Sequence, residues 1–147
     1  MSMDGRRFSI DKILSALPLT VTYALAFMSS TFLPVWVGTL AQKFSVAPSL
    51  LGSIASMELA TVAITSILTA NFIDTRSLKW PLVCAIVLSG ACNLLASFAP
   101  SLDLLGVARI SAGVANGFLL ADINRRAASS SVPSRIFAGQ IFAMVAF

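Results

Sequence analysis

The chain has 147 residues, of which 57% are hydrophobic and only 11% charged, with a mean hydropathy of +0.90, whereas an ordinary soluble domain carries about 25% charged residues. That imbalance points away from a soluble globular domain and towards a membrane protein. The net charge of +4 comes without a single histidine, which argues against zinc hydrolases, haem sites and histidine-based triads, and no basic stripe interleaved with aromatics suggests a nucleic-acid partner.

Residues 1–12, MSMDGRRFSIDK, form a basic, polar start. From Ile13 to about Leu40 the only ionisable side chain is Tyr23. This stretch is far longer than the roughly 7–15 residue core of a signal peptide, so it reads as a retained helix. About 20 apolar residues cross some 30 Å of hydrocarbon as a helix, and three further segments suit that role. Residues 48–72 are apolar apart from Glu58; 80–99 carry no charge; 104–123 are apolar as far as Ala121 apart from Arg109. A soluble helical bundle would need polar faces at helical period, which these segments lack. Cys84 and Cys92 fall on the third segment about 80° apart around a helix, as packing residues and not as a disulfide or metal pair. The expected fold is therefore all-α, a polytopic membrane helix bundle.

Residues 124–135 read as a loop, and 136–147 as the start of a fifth span. At 1.5 Å per residue the apolar run after Arg135 covers only about 18 Å, short of a bilayer core. The sharper expectation is an incomplete span in a fragment of a longer protein, the other a short re-entrant or interfacial tail.

The connections set the orientation. Arg6, Arg7 and Lys12 precede the first span, Arg76 and Lys79 follow the second, and Arg125, Arg126 and Arg135 follow the fourth; the other two connections hold only Lys43. By the positive-inside rule the N-terminus and the segments around 74–79 and 124–135 are expected to be cytoplasmic, in a multi-pass protein of the cell (inner or plasma) membrane. The net positive charge is explained by this topology.

Ionisable groups within the spans are costly, at least about 2.5–3.5 kcal/mol at the bilayer centre, and usually face a partner or a watery cavity. On a helical wheel Glu58 shares a polar side with Thr61 and Thr65, while Gly52, Ser56 and Ala60 make a separate small-residue stripe of the kind that lets membrane helices approach closely. Arg109, Gly113 and Gly117 stand at i, i+4 and i+8 on one side of the fourth span, with Asn116 nearby. Two readings of Arg109 stay open: snorkelling to the headgroups from near the outer end of its helix, or turning into the bundle, where the glycines predict a neighbouring helix. In the second case Arg109 and Glu58 are expected to be electrostatically coupled. Asn93, on the third span, is another polar group in need of a partner.

These residues carry a family resemblance. LGVARISAGVANG, Leu105–Gly117, resembles the fourth-helix signature of the major facilitator superfamily: a leucine, an arginine four residues on, then a glycine four later followed by small residues. ANFIDTRSLK, Ala70–Lys79, looks like that family's loop between the second and third helices, with Asp74 at its acidic position and Lys79 at its last basic one. Ala70 and Ser77 stand where glycines are usual, and Thr75 where an arginine is. SVPSRIFAGQ, Ser131–Gln140, is similar to the family's entry into its fifth helix.

The resemblance implies a secondary transporter with two six-helix halves and a central cavity that opens alternately to either side. This chain would then supply part of the N-terminal half, with the C-terminal half as its missing partner. Arg109, Glu58, Asn93 and Tyr23 are the candidate substrate and ion pathway, and Gly113, Gly117, Gly52 and Ser56 the packing positions. Asp74, Arg76, Lys79, Asp122, Arg125 and Arg126 are the candidate loop cluster that holds one conformational state. The implied partners are a small-molecule substrate, protons as a candidate coupling ion, and the lipid bilayer. No residue set calls for a cofactor or metal, and no carboxylate pair or nucleophile with its base suggests an enzyme. Two other classes remain: an intact four-helix protein acting as a homo-oligomeric exporter with Glu58 as coupling acid, and a membrane scaffold without a transport role.

Overall fold

The computed structural model describes residues 20–23, 33–72 and 79–146. The N-terminal segment, most of the first expected span, and the loop residues Asp74 and Arg76 lie outside these. All regular structure among the described residues is helical: α1 (Leu33–Phe44), α2 (Pro48–Ala70), α3 (Lys79–Phe98), α4 (Leu102–Ala128) and α5 (Pro133–Ala146), with 20–23 helical as well.

Local chemistry explains where the helices begin and end. After α1, Ser45 takes the left-handed conformation at φ 53°. The Val46 N–H then donates to the Ala41 carbonyl at 3.2 Å and the Ser45 N–H to that of Gln42 at 3.3 Å, the paired closure of a Schellman motif. Pro48 and Pro133 open α2 and α5, where a missing N–H costs no helical hydrogen bond. Ser101 caps α4 by accepting from the Leu104 N–H, and Asp103 in the first turn and Arg125 and Arg126 in the last complement the helix dipole.

Two expected boundaries are corrected. The fourth helix continues past 123 to Ala128, and the fifth begins at Pro133, so the connection is shorter than 124–135. The basic residues there are good helix formers, and no glycine or proline intervenes before Pro133.

Helices α2, α3 and α4 are each long and apolar enough to cross a membrane. Their burial is unequal: 56% of the apolar window of α4 is buried against 17% for α2 and for α3. α4 is the central element, packed along α2 on one side and α3 on the other. α2 runs parallel to α4, since Gly113 lies against Glu58 and Thr61 while Gly117 lies against Val62 and Thr65. α3 runs antiparallel, with Asn93 beside Arg109 and Ser89 beside Asn116. The outward faces of α2 and α3 expose Ile64, Ile67, Val87, Leu94 and Phe98, an apolar exterior compatible with a membrane protein.

The interior holds two apolar clusters. Leu51, Ala96, Ala99, Leu105 and Ala108 form one, with Trp36, Leu40 and Phe44 of α1 packed on it. Ala85, Leu119 and Ile123 form the other, covered by Tyr23, Leu82 and Phe118. Arg109 and Asn116 lie between them along α4.

Candidate functional site

Four helices contribute to the polar group, and α4 positions its centre. Gly113 and Gly117 let the α2 backbone approach: a Cβ at Gly113 would sit 2.7 Å from the Glu58 carbonyl oxygen, and one at Gly117 2.6 Å from that of Val62. Glu58 is thus level with Gly113, about one turn beyond Arg109. Helical side chains lean towards their own N-terminus, so the Glu58 carboxylate reaches back to the guanidinium. Arg109 Nη1 lies 3.6 Å from Glu58 Oε2, and the two side chains are 10% and 5% exposed.

The guanidinium is turned into the bundle and not towards the end of its helix. Its Cζ stands over the ring of Trp36 on α1, 4.6 Å from the centroid, a cation–π arrangement. Nη1 also donates to Asn93 Oδ1 on α3 at 3.4 Å. Asn93 Nδ2 donates to the Ser89 carbonyl one turn earlier at 2.9 Å, and the Ser89 hydroxyl donates to Asn116 Oδ1 at 2.7 Å, returning the network to α4. Each ion lowers the desolvation cost of the other, and a pair whose remaining polar atoms are hydrogen-bonded is the form in which buried charge persists. Two donors nevertheless lack an acceptor among the described residues: the buried Arg109 Nε and Trp36 Nε1.

Sequence reasoning missed Trp36 and Ser89. Trp36 is the single tryptophan of the first span, and the cost of an unaccompanied arginine was the signal that an aromatic platform belonged beside it. Tyr23 packs on the Ala85–Leu119–Ile123 cluster, about three to four turns further along α4 than Arg109. Among the described residues nothing lies within 4 Å of a Cβ at Gly52, and Ser56 is exposed. α2 meets the glycines of α4 with Glu58, Thr61, Val62 and Thr65, and Ser56 is turned away from them. Of the loop cluster, Asp122 is 1% exposed and accepts from Arg126 Nε at 2.5 Å and Arg125 Nη2 at 3.3 Å, both on its own helix. Lys79 is exposed, and among the described residues no ion pair joins it to them. The described residues bring together no group of three His, Cys, Asp or Glu fit to hold a metal.

Comparison of the chain with protein-family models, with curated proteins and with solved structures finds no match.

Proposed function

We propose that the chain belongs to a membrane transporter of the major facilitator type, contributing helices of its N-terminal half to the path of a small molecule, with protons as coupling ion. The observation that carries this reading is the buried Glu58–Arg109 pair, set with Asn93 and Trp36 between two apolar clusters. A scaffold held together by apolar and small-residue contacts has no need of an ion pair there. Its position requires desolvating two charges, and such groups in membrane spans mark substrate and ion pathways. The Leu105–Gly117 signature, the parallel pairing of α2 with α4, and the antiparallel α3 between them in sequence support the same reading. In the membrane the N-terminus and the α4–α5 connection face the cytoplasm, as the Lys and Arg distribution favours.

The test uses the protein in its natural reading frame. Cells expressing the wild type or Arg109→Ala are assayed for accumulation of a panel of labelled small molecules, with membrane levels of the two matched by blotting. At least one compound should accumulate or be expelled only with the wild type. Identical profiles at equal membrane levels refute the proposal.

A further inference from the structure

The polar group is short of acceptors. The Glu58 carboxylate faces Arg109, Asn93 Oδ1 is taken by Arg109 Nη1, and Asn116 Oδ1 by the Ser89 hydroxyl. The buried polar atoms here that have no partner among the described residues are both donors, Arg109 Nε and Trp36 Nε1, and they belong to the same cation–π pair. A buried donor left unsatisfied costs about 1–3 kcal/mol, more when charged, so an arrangement that keeps two together is matched to an incoming acceptor. The ion contact is also loose: 3.6 Å is beyond the roughly 2.7–2.9 Å of a charge-assisted hydrogen bond. Carboxylate and guanidinium are near each other without being locked.

We infer that Arg109 and Trp36 form an oxyanion subsite and that the small molecule handled here carries a carboxylate or a similar planar oxyanion, which takes the Nε edge of the guanidinium while Glu58 stands at Nη1. This rests on the transporter reading above and narrows its substrate class. A planar oxyanion accepts from Nε and a terminal nitrogen of arginine together, a geometry an ammonium point charge does not offer. Trp36 closes the face of the guanidinium and its indole N–H supplies a further donor. Glu58, at Nη1, is then an electrostatic competitor: it compensates the cation while the subsite is empty, and its charge opposes an entering anion. A cationic substrate has no such place, because the acceptors it would need are already engaged.

The experiment is a binding measurement on the purified chain in lipid nanodiscs, with Trp80→Phe so that Trp36 is the sole tryptophan. Benzoate is the probe, with benzamide and benzylammonium as neutral and cationic counterparts of similar shape. Benzoate should change Trp36 emission saturably while the other two do not. Glu58→Gln should tighten benzoate binding about tenfold or more by removing the competitor. Arg109→Lys, which keeps the charge and loses the fork, should weaken it at least about tenfold. Helicity by circular dichroism identifies any variant that fails to fold; should Arg109→Lys do so, the sign of the Glu58→Gln effect alone decides. Stronger binding of benzylammonium, equal binding of all three, or no benzoate binding even to Glu58→Gln overturns the inference, the last meaning that the two donors hold water only. Benzoate binding without Arg109-dependent transport in cells would leave the subsite standing and remove the transporter reading; Arg109-dependent transport of a cation would do the reverse.

Discussion

Replacing Gly117 by alanine adds one methyl group at the closest approach of α2 and α4. Built on the existing backbone, that Cβ lies 2.6 Å from the Val62 carbonyl oxygen, 2.7 Å from Thr65 Cβ and 3.2 Å from the Ser66 nitrogen. Cβ contacts under 3.0 Å are essentially never seen, and two of the three atoms are backbone, so no side-chain rotation relieves the clash. The helices must separate by several tenths of an ångström, and a gap of 0.5–1 Å already forfeits a quarter to a half of each dispersion contact across it. Overpacking of this kind costs about 1–3 kcal/mol. Gly52→Ala is the internal control. It is half-buried and meets nothing within 4 Å among the described residues, and where there is room for the methyl group alanine is favoured over glycine in a helix by up to about 1 kcal/mol. The two variants should therefore differ in stability by about 2–3 kcal/mol although both make the same chemical change. Thermal unfolding in a mild detergent, followed by circular dichroism, measures the difference. Equal midpoints for Gly117→Ala and Gly52→Ala would refute the parallel α2–α4 contact and the register that puts Glu58 beside Arg109.

The Glu58–Arg109 pair should show coupling in a double-mutant cycle: Arg109→Ala and Glu58→Ala each leave a buried charge alone and should destabilise by about 3–5 kcal/mol, and the double variant by clearly less than their sum. Strict additivity would mean that the two charges do not sense each other. At the far end of α4, Arg126→Ala should destabilise more than Arg125→Ala, by about 1 kcal/mol or less because both side chains are some 40% exposed; the reverse order would contradict the placement of Asp122. In a background with Cys84 and Cys92 replaced, cysteines at Gln42 and Ser129, both exposed, should label from outside and inside the cell respectively, and the opposite pattern would overturn the orientation.

Much of this arrangement could be read from spacing. Arg109, Gly113 and Gly117 recur every four residues, and that period alone puts an arginine and two close-approach positions on one side of a helix. Asn93 stood out as a polar group in an apolar span in need of a partner; the structure gives it Arg109 on α4 and the Ser89 carbonyl one turn earlier. The choice of face on α2 was not legible, because Ala55 and Ser56 are both small and adjacent. Only the tertiary structure shows that Ala55 is buried and Ser56 exposed. Nor did the sequence say that Lys43 reaches across to donate to the Ala99 carbonyl at 3.1 Å, capping the end of α3. Such a contact spans 56 residues of chain and leaves no periodic trace. The burial of Asp122 escaped notice for a related reason, since a carboxylate beside two arginines looks like a solvated helix end.

The central claim, that a water-accessible polar path runs through a lipid-facing bundle, is tested most directly by thiol reactivity at two positions on one helix. Asn93→Cys, beside Arg109, and Val87→Cys, on the outward side of α3 at 65% exposed, are compared in the cysteine-free protein in membranes with a charged, membrane-impermeant methanethiosulfonate. The account predicts that Asn93→Cys reacts and that Val87→Cys, lying against lipid, stays inert despite its greater exposure. A reactive Val87→Cys beside an inert Asn93→Cys would contradict it.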